Sequence, residues 1–158
     1  MRRDHGLGDA AEVLLSGGSA GGLATYLHAD YVRATFADDV KFRAAPISGF
    51  FAMRPTAAGA PEFEAVGRHV YELQNASVNA ACVAALGSEA WRCFFANYSY
   101  FYAKTSIFPL QSAVDSYQMS SIYQADPACA GSRAGNQNCR GAFKVQCLCA
   151  QRRSRACS

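Results

Sequence analysis

The segment Gly17-Gly18-Ser19-Ala20-Gly21-Gly22 follows the apolar run Val13-Leu14-Leu15 and opens a stretch with helical spacing. A G-x-S-x-G pattern between strand and helix is the signature of a nucleophile elbow, a turn so tight that the serine takes a strained backbone conformation. The residues two before and two after Ser19, Gly17 and Gly21, are expected to carry only hydrogen because larger side chains would collide there. Gly18 and Gly22 are expected to relax the crowding further. The backbone N–H of Ala20, at the start of the helix, would then face a developing oxyanion. The implied reaction class is attack by a serine hydroxyl on an ester or amide carbonyl. The alternative is a glycine-rich turn with an incidental serine.

A serine nucleophile needs a base, and the three histidines, His5, His28 and His69, all precede the best acid candidate, Asp115. His28 lies nine residues beyond Ser19. That carries it roughly 13 Å along a helix axis. His69 is expected on the polar side of its helix, and His5 in an untethered start.

The chain of 158 residues is 51% hydrophobic and 17% charged, which favours a folded domain over a disordered segment. The formal net charge is +3, but no acid follows Asp126, while Arg133, Arg140, Lys144, Arg152, Arg153 and Arg155 do. Such a tail is either plainly solvated or a holder of a polyanion. No aromatic interleaving or motif points to nucleic acid, and no apolar run is long enough to cross a membrane.

Seven cysteines and two N-x-S acceptors, Asn75-Ala76-Ser77 and Asn97-Tyr98-Ser99, suggest an oxidising, secretory setting with N-glycosylation. Cys82 and Cys93 are near enough to close a short loop, and Cys129 with Cys139 could do the same. Cys139, Cys147 and Cys149 fit no standard zinc spacing, so disulfides are preferred and no metal is expected. No signal peptide is visible after Met1-Arg2-Arg3.

Apolar spacing places a strand at Val13–Leu15, a helix on Leu23, Leu27 and Tyr31, and a second strand from Val40 to Ala44, ending near Pro46. Helices are expected over roughly 62–74, possible continuation over 77–87, and from Ser88 through Trp91, Phe94, Phe95 and Tyr98. Thr105–Leu110 reads as a buried third strand, with Gln111–Gln118 the loop at its carboxyl end. Alternating strands and helices imply a mostly parallel sheet with flanking helices on both faces. Reactive groups then gather beyond the carboxyl ends of the strands, where Ser19 and Asp115 fall.

The string Leu14-Leu15-Ser16-Gly17-Gly18-Ser19-Ala20-Gly21-Gly22-Leu23-Ala24 resembles the nucleophile segment of the pectin acetylesterase family, whose animal relatives are the Notum-type carboxylesterases. The resemblance continues through Val40-Lys41-Phe42, Gly49-Phe50-Phe51, Cys93-Phe94-Phe95 and Lys104-Thr105. It reaches Ala113-Val114-Asp115-Ser116-Tyr117-Gln118, which looks like the family's N-x-A-Y-D-x-W/F-Q acid loop. It implies an α/β-hydrolase fold over 1–126, here partial, followed by an irregular Cys- and Arg-rich basic tail over 127–158. It also implies Ser19 as nucleophile, Asp115 as the acid orienting a histidine, no cofactor, and acetylated pectic polysaccharide of the cell wall as substrate. The setting would be extracellular.

Several positions depart from the family pattern. Gly18 replaces a cysteine common in plant members, Ala45-Pro46 stands where an acid is usual, and Gln111 and Val114 replace Asn and Tyr. The family's histidine lies well downstream of the acid, and its upstream half supplies further oxyanion donors. The expectation is therefore a fragment, splice form or broken gene model of a longer esterase, weak or inactive alone, whose elbow strand Val13-Leu14-Leu15 is an exposed edge. The other readings are a non-catalytic remnant binding acidic polysaccharide and a Notum-like protein or lipid deacylase. Oligomeric state is not legible.

Overall fold

The computed structural model describes residues 6–113 and 115–124. His5, Val114, Cys129, Cys139 and the whole basic tail lie outside the described residues. Two units form. Of the described residues, one comprises 6–52 together with Val66–Gln111, the other Met53–Ala65 with 112–113 and 115–124.

In the first unit the strand β1, Glu12–Gly18, runs parallel to β2, Lys41–Ile47, with Leu14 opposite Arg43 and Gly18 opposite Ile47. Between them the chain forms helix α1, Ala20–Arg33, giving a strand–helix–strand crossover. β2 alternates strictly, so that Phe42, Ala44 and Pro46 are buried while Lys41, Arg43 and Ile47 are exposed. α1 packs along both strands with Tyr26, Leu27 and Ala29 buried.

β2 runs through Pro46 and closes at Ile47, one residue from the end expected near Pro46. In a parallel ladder alternate residues bond to opposite neighbours, and the odd-numbered ones face β1: Lys41 N–H reaches Ala11 O at 2.9 Å and Ser19 N–H reaches Ile47 O at 2.9 Å. The even-numbered ones face residues 106–110, where Ala44 N–H donates to Ser106 O and Ser48 N–H to Leu110 O. Between those two bonds Pro46 has no N–H to offer the Phe108 carbonyl. The expected third strand is accordingly present as two separate parallel bridges, Ala44 to Ile107 and Ile47 to Leu110.

Among the described residues α1 covers one face of this sheet, where the strand–helix alternation predicts helices on both faces. The other leaves Leu14 66% and Phe108 68% exposed, with Ile47 and Leu110 beside them. No strand lies beyond β1 among the described residues.

The remaining helices are α2, Glu62–Leu73, α3, Ala80–Leu86, and α4, Ala96–Tyr102. The sequence predicts one helix from Ser88 through Tyr98. Instead a 3-10 segment spans Gly87–Phe94, and Phe95, with φ −93° and ψ 135°, breaks the chain before α4. Ser88 makes no cap; the capping side chain is Asn79, whose Oδ1 accepts from Cys82 N–H at 3.0 Å. The break follows from tertiary anchors: Cys93 is bonded to Cys82 as expected, and both are fully buried. Closing that short loop stabilises by about 3 kcal/mol. The Phe95 ring lies directly against Gly67 of α2, leaving no room for a side chain there. Trp91 stacks beneath the Arg92 guanidinium at 4.8 Å.

One carboxylate ties these parts together. Asp30 of α1 accepts from Lys104 N–H at 3.0 Å, Thr105 N–H at 2.8 Å and Asn79 Nδ2 at 2.9 Å. Burial pushes its pKa up, but the Lys104 and Thr105 N–H groups and the Asn79 amide outweigh burial and hold it below the ordinary carboxylate value. A depressed folded-state pKa stabilises fully above the unfolded value and fades as pH falls through the folded one. Asp30→Asn should therefore cost about 1–3 kcal/mol at neutral pH in urea unfolding. The gap between variant and wild type should shrink at pH 3; an equal gap at both pH values would refute this role.

In the second unit, Thr56 N–H donates to Ala60 O at 2.8 Å and Ala57 N–H to Tyr123 O at 2.6 Å. A π-helical turn, Gln118–Ile122, buries Gln118, Met119 and Ile122.

Candidate active site

β1 delivers the chain to Ser19, which adopts φ 54° and ψ −121° before α1 begins at Ala20. This positive φ is strained for a residue with a Cβ and typically costs on the order of 1–3 kcal/mol. Two hydrogen bonds hold the bend: Ser19 N–H donates to Ile47 O at 2.9 Å, and Leu23 N–H donates to Ser19 O at 3.0 Å. Ser19 is exposed, so its hydroxyl is open to a reactant. Ala20 heads a helix of fourteen residues, where the leading N–H groups have no intrahelical acceptor and carry the positive end of the dipole.

The glycine requirement differs from the sequence reading. A Cβ on Gly17 would sit 2.6 Å from the carbonyl carbon of Gly21, as the crowding argument expects. On the far side, however, the crowded position is Gly22, where a Cβ would meet Ile47 O at 2.7 Å and Gly49 Cα at 2.8 Å. Gly18 and Gly21 point their absent side chains into open space. The period of the motif marked Gly21, but the obstacle is a turn arriving from the end of β2, which no local pattern encodes.

Asp115 lies in the second unit, half-buried, at the head of the turn that becomes the π-helical segment. Its backbone carbonyl accepts from Met119 N–H at 3.0 Å, and its Oδ1 accepts from Gln118 N–H at 3.1 Å. Gln118 Nε2 adds a longer bond to Oδ2 at 3.4 Å. The carboxylate thus caps its own turn, with Gln118, buried, as orienting partner. That role was visible only as the last letter of the string Asp115-Ser116-Tyr117-Gln118.

His28 is half-buried in α1 and His69 is exposed in α2. Asn75 is exposed in a turn after α2 with φ 44°, whereas Asn97 lies in α4 with its Oδ1 buried and without a hydrogen-bond partner. Of the two N-x-S sites, the geometry at Asn75 is the one open to modification. Among the described residues no group of three His, Cys, Asp or Glu side chains is arranged to hold a metal, and no helix is long and apolar enough to cross a membrane.

A parallel strand–helix–strand unit with a serine at positive φ between strand and helix is the arrangement of an α/β-hydrolase fold. The backbone superposes on that of the Wnt deacylase Notum from Drosophila with a TM-score of 0.62 and 29% identity, over 68% of this chain and 33% of that one. A family model described as Pectinacetylesterase matches residues 2–153, and the chain belongs to that family. Pectin acetylesterase 5 of Arabidopsis thaliana is 31% identical over 127 residues, 77% of this chain and 29% of its own length. Pectin acetylesterase 11 of the same plant is 27% identical over 119 residues, 74% and 30% respectively. The chain therefore spans about a third of the length of these relatives.

Proposed function

We propose that this chain carries the nucleophile and acid segments of a secreted serine carboxylesterase that removes acetyl groups from pectic polysaccharide. The observation that bears most weight is Ser19 at φ 54° and ψ −121°, directly ahead of the Ala20 N–H. In the reaction the Ser19 oxygen bonds to the acetyl carbon as a histidine takes its proton, and the sugar alcohol departs with that proton. Water then attacks the acetyl-enzyme and releases acetate. The Ala20 N–H donates to the oxyanion at both tetrahedral stages. Asp115 is the acid that would orient the histidine, its carboxylate held by Gln118.

We read neither histidine among the described residues as that base, because His28 follows Ser19 by nine residues along α1 and His69 stands exposed on α2. The chain alone is therefore expected to be a weak esterase. Loss of one triad member lowers the rate on the order of 10⁴ to 10⁶. The test measures acetate release from acetylated pectin and cleavage of nitrophenyl esters by the chain, with Ser19→Ala as reference. A slow, Ser19-dependent release favouring acetyl over long acyl esters is expected. Turnover independent of Ser19 would sink the reading, and a preference for long acyl chains would favour the deacylase chemistry named for the Drosophila neighbour.

A further inference from the structure

Backbone strain and close contacts converge where the end of β2 meets the elbow. Ser48 stands next after Ile47 at φ 48°, a second serine in the left-handed region. The Ile47 carbonyl receives the Ser19 N–H at 2.9 Å. Gly49 has no room for a side chain, because a Cβ there would overlap the backbone of Gly22 and Leu23 in the first turn of α1. Gly22 in turn would strike Ile47 O and Gly49 Cα, so the two glycines lie backbone against backbone.

This turn is itself fixed from its other side. Ser48 N–H donates to Leu110 O at 2.7 Å, and Phe50 N–H donates to the side-chain Oε1 of Gln111 at 3.1 Å. Phe50 is buried with its ring 6.2 Å from that of Tyr26 in α1. A strained nucleophile persists only where its surroundings over-determine it. Here the surroundings are the turn 47–50, anchored by residues 110–111.

We infer that Gly49 and Gln111 are positioning residues for the Ser19 hydroxyl: Gly49 lets the turn approach the first turn of α1, and Gln111 locks that turn by accepting the Phe50 N–H. This rests on Ser19 being the nucleophile, but it concerns where its side chain sits. A methyl on Gly49 must push either α1 or the turn away, and both movements lengthen the Ser19–Ile47 bond. Loss of the Gln111 acceptor frees the turn without adding bulk. Either change moves the Ser19 side chain relative to the helix N-terminus.

The test replaces the hydroxyl by a thiol, Ser19→Cys, and follows alkylation of that cysteine against pH, resolved from the other thiols by mass spectrometry. At the start of α1 the thiol pKa should fall below the ordinary value of about 8.5. Adding Gly49→Ala or Gln111→Met should raise it by about half a unit. Gln111→Glu keeps an acceptor oxygen and, at high salt where the repulsion of its added charge is screened, should restore the Ser19→Cys value. Gly67→Ala collides with the distant Phe95 ring, and should lower the melting temperature without moving the pKa. Circular dichroism confirms folding of each variant, and if Gly49→Ala does not fold, the Gln111 pair decides. A thiol pKa unmoved by Gln111→Met, not restored by Gln111→Glu at high salt, or moved equally by Gly67→Ala overturns the inference. Acetyl-ester turnover that does not depend on Ser19, with the thiol shifts present, refutes the esterase reading and leaves the positioning role standing.

Discussion

Ser19→Gly should make the protein more stable while abolishing every covalent reaction at the elbow. The wild-type residue holds φ 54° and ψ −121°, which glycine adopts without steric penalty. Relief of strain is worth on the order of 1–3 kcal/mol, against about 0.5–1 kcal/mol for the extra freedom glycine has when unfolded. The net gain of about 1 kcal/mol corresponds to a rise of about 2–4 °C in Tm. Thermal unfolding of the two proteins beside fluorophosphonate labelling reads both effects. A lower Tm for the glycine variant would mean that Ser19 is not strained. Labelling that survives in it would place the reactive group elsewhere. Opposite signs in stability and reactivity are what a strained nucleophile predicts, and an incidental serine in a flexible turn predicts neither.

The largest loss of stability should come from Gly22→Val. A Cβ there meets the Ile47 carbonyl oxygen at 2.7 Å and the Gly49 Cα at 2.8 Å, and both obstacles are backbone, which cannot rotate aside. Branching adds two more methyl groups in the same space. The cost should exceed about 4 kcal/mol, a large part of the 5–15 kcal/mol that holds a typical domain together, and the variant should be mostly unfolded at 37 °C. Gly21→Ala is the matched comparison, since its Cβ points into open space and alanine favours the helix by roughly 1 kcal/mol. Urea unfolding should rank Gly21→Ala at or above wild type and Gly22→Val far below. The reverse order would return the steric constraint to the symmetric pair that the motif suggests.

Much of the first unit is legible because its signals are local. Val13-Leu14-Leu15 before a glycine cluster reads as strand and bend, Leu23 and Leu27 at helical spacing read as the following helix, and Cys82 and Cys93 lie close enough along the chain to find each other. The helix expected through Phe95 fails for the opposite reason. Its apolar spacing is genuine, but the disulfide at Cys93 and the contact of Phe95 with Gly67 impose a break that periodicity does not carry. Asp30 escaped notice because an aspartate in mid-helix looks like a solvated face until the Lys104 and Thr105 N–H groups arrive from far along the chain.

Covalent order by itself determined the chemistry on offer: a lone hydroxyl between glycines, an aspartate in an acid-loop string, and a pair of cysteines at bridging distance. Tertiary structure decided that Gly22 rather than Gly21 has no room for a side chain, that β2 runs through Pro46, and that the Ser19 N–H is held by the Ile47 carbonyl. The physical reason is range. Backbone preference and side-chain period act over a few residues, whereas steric exclusion and hydrogen-bond satisfaction depend on whichever segment folds against them.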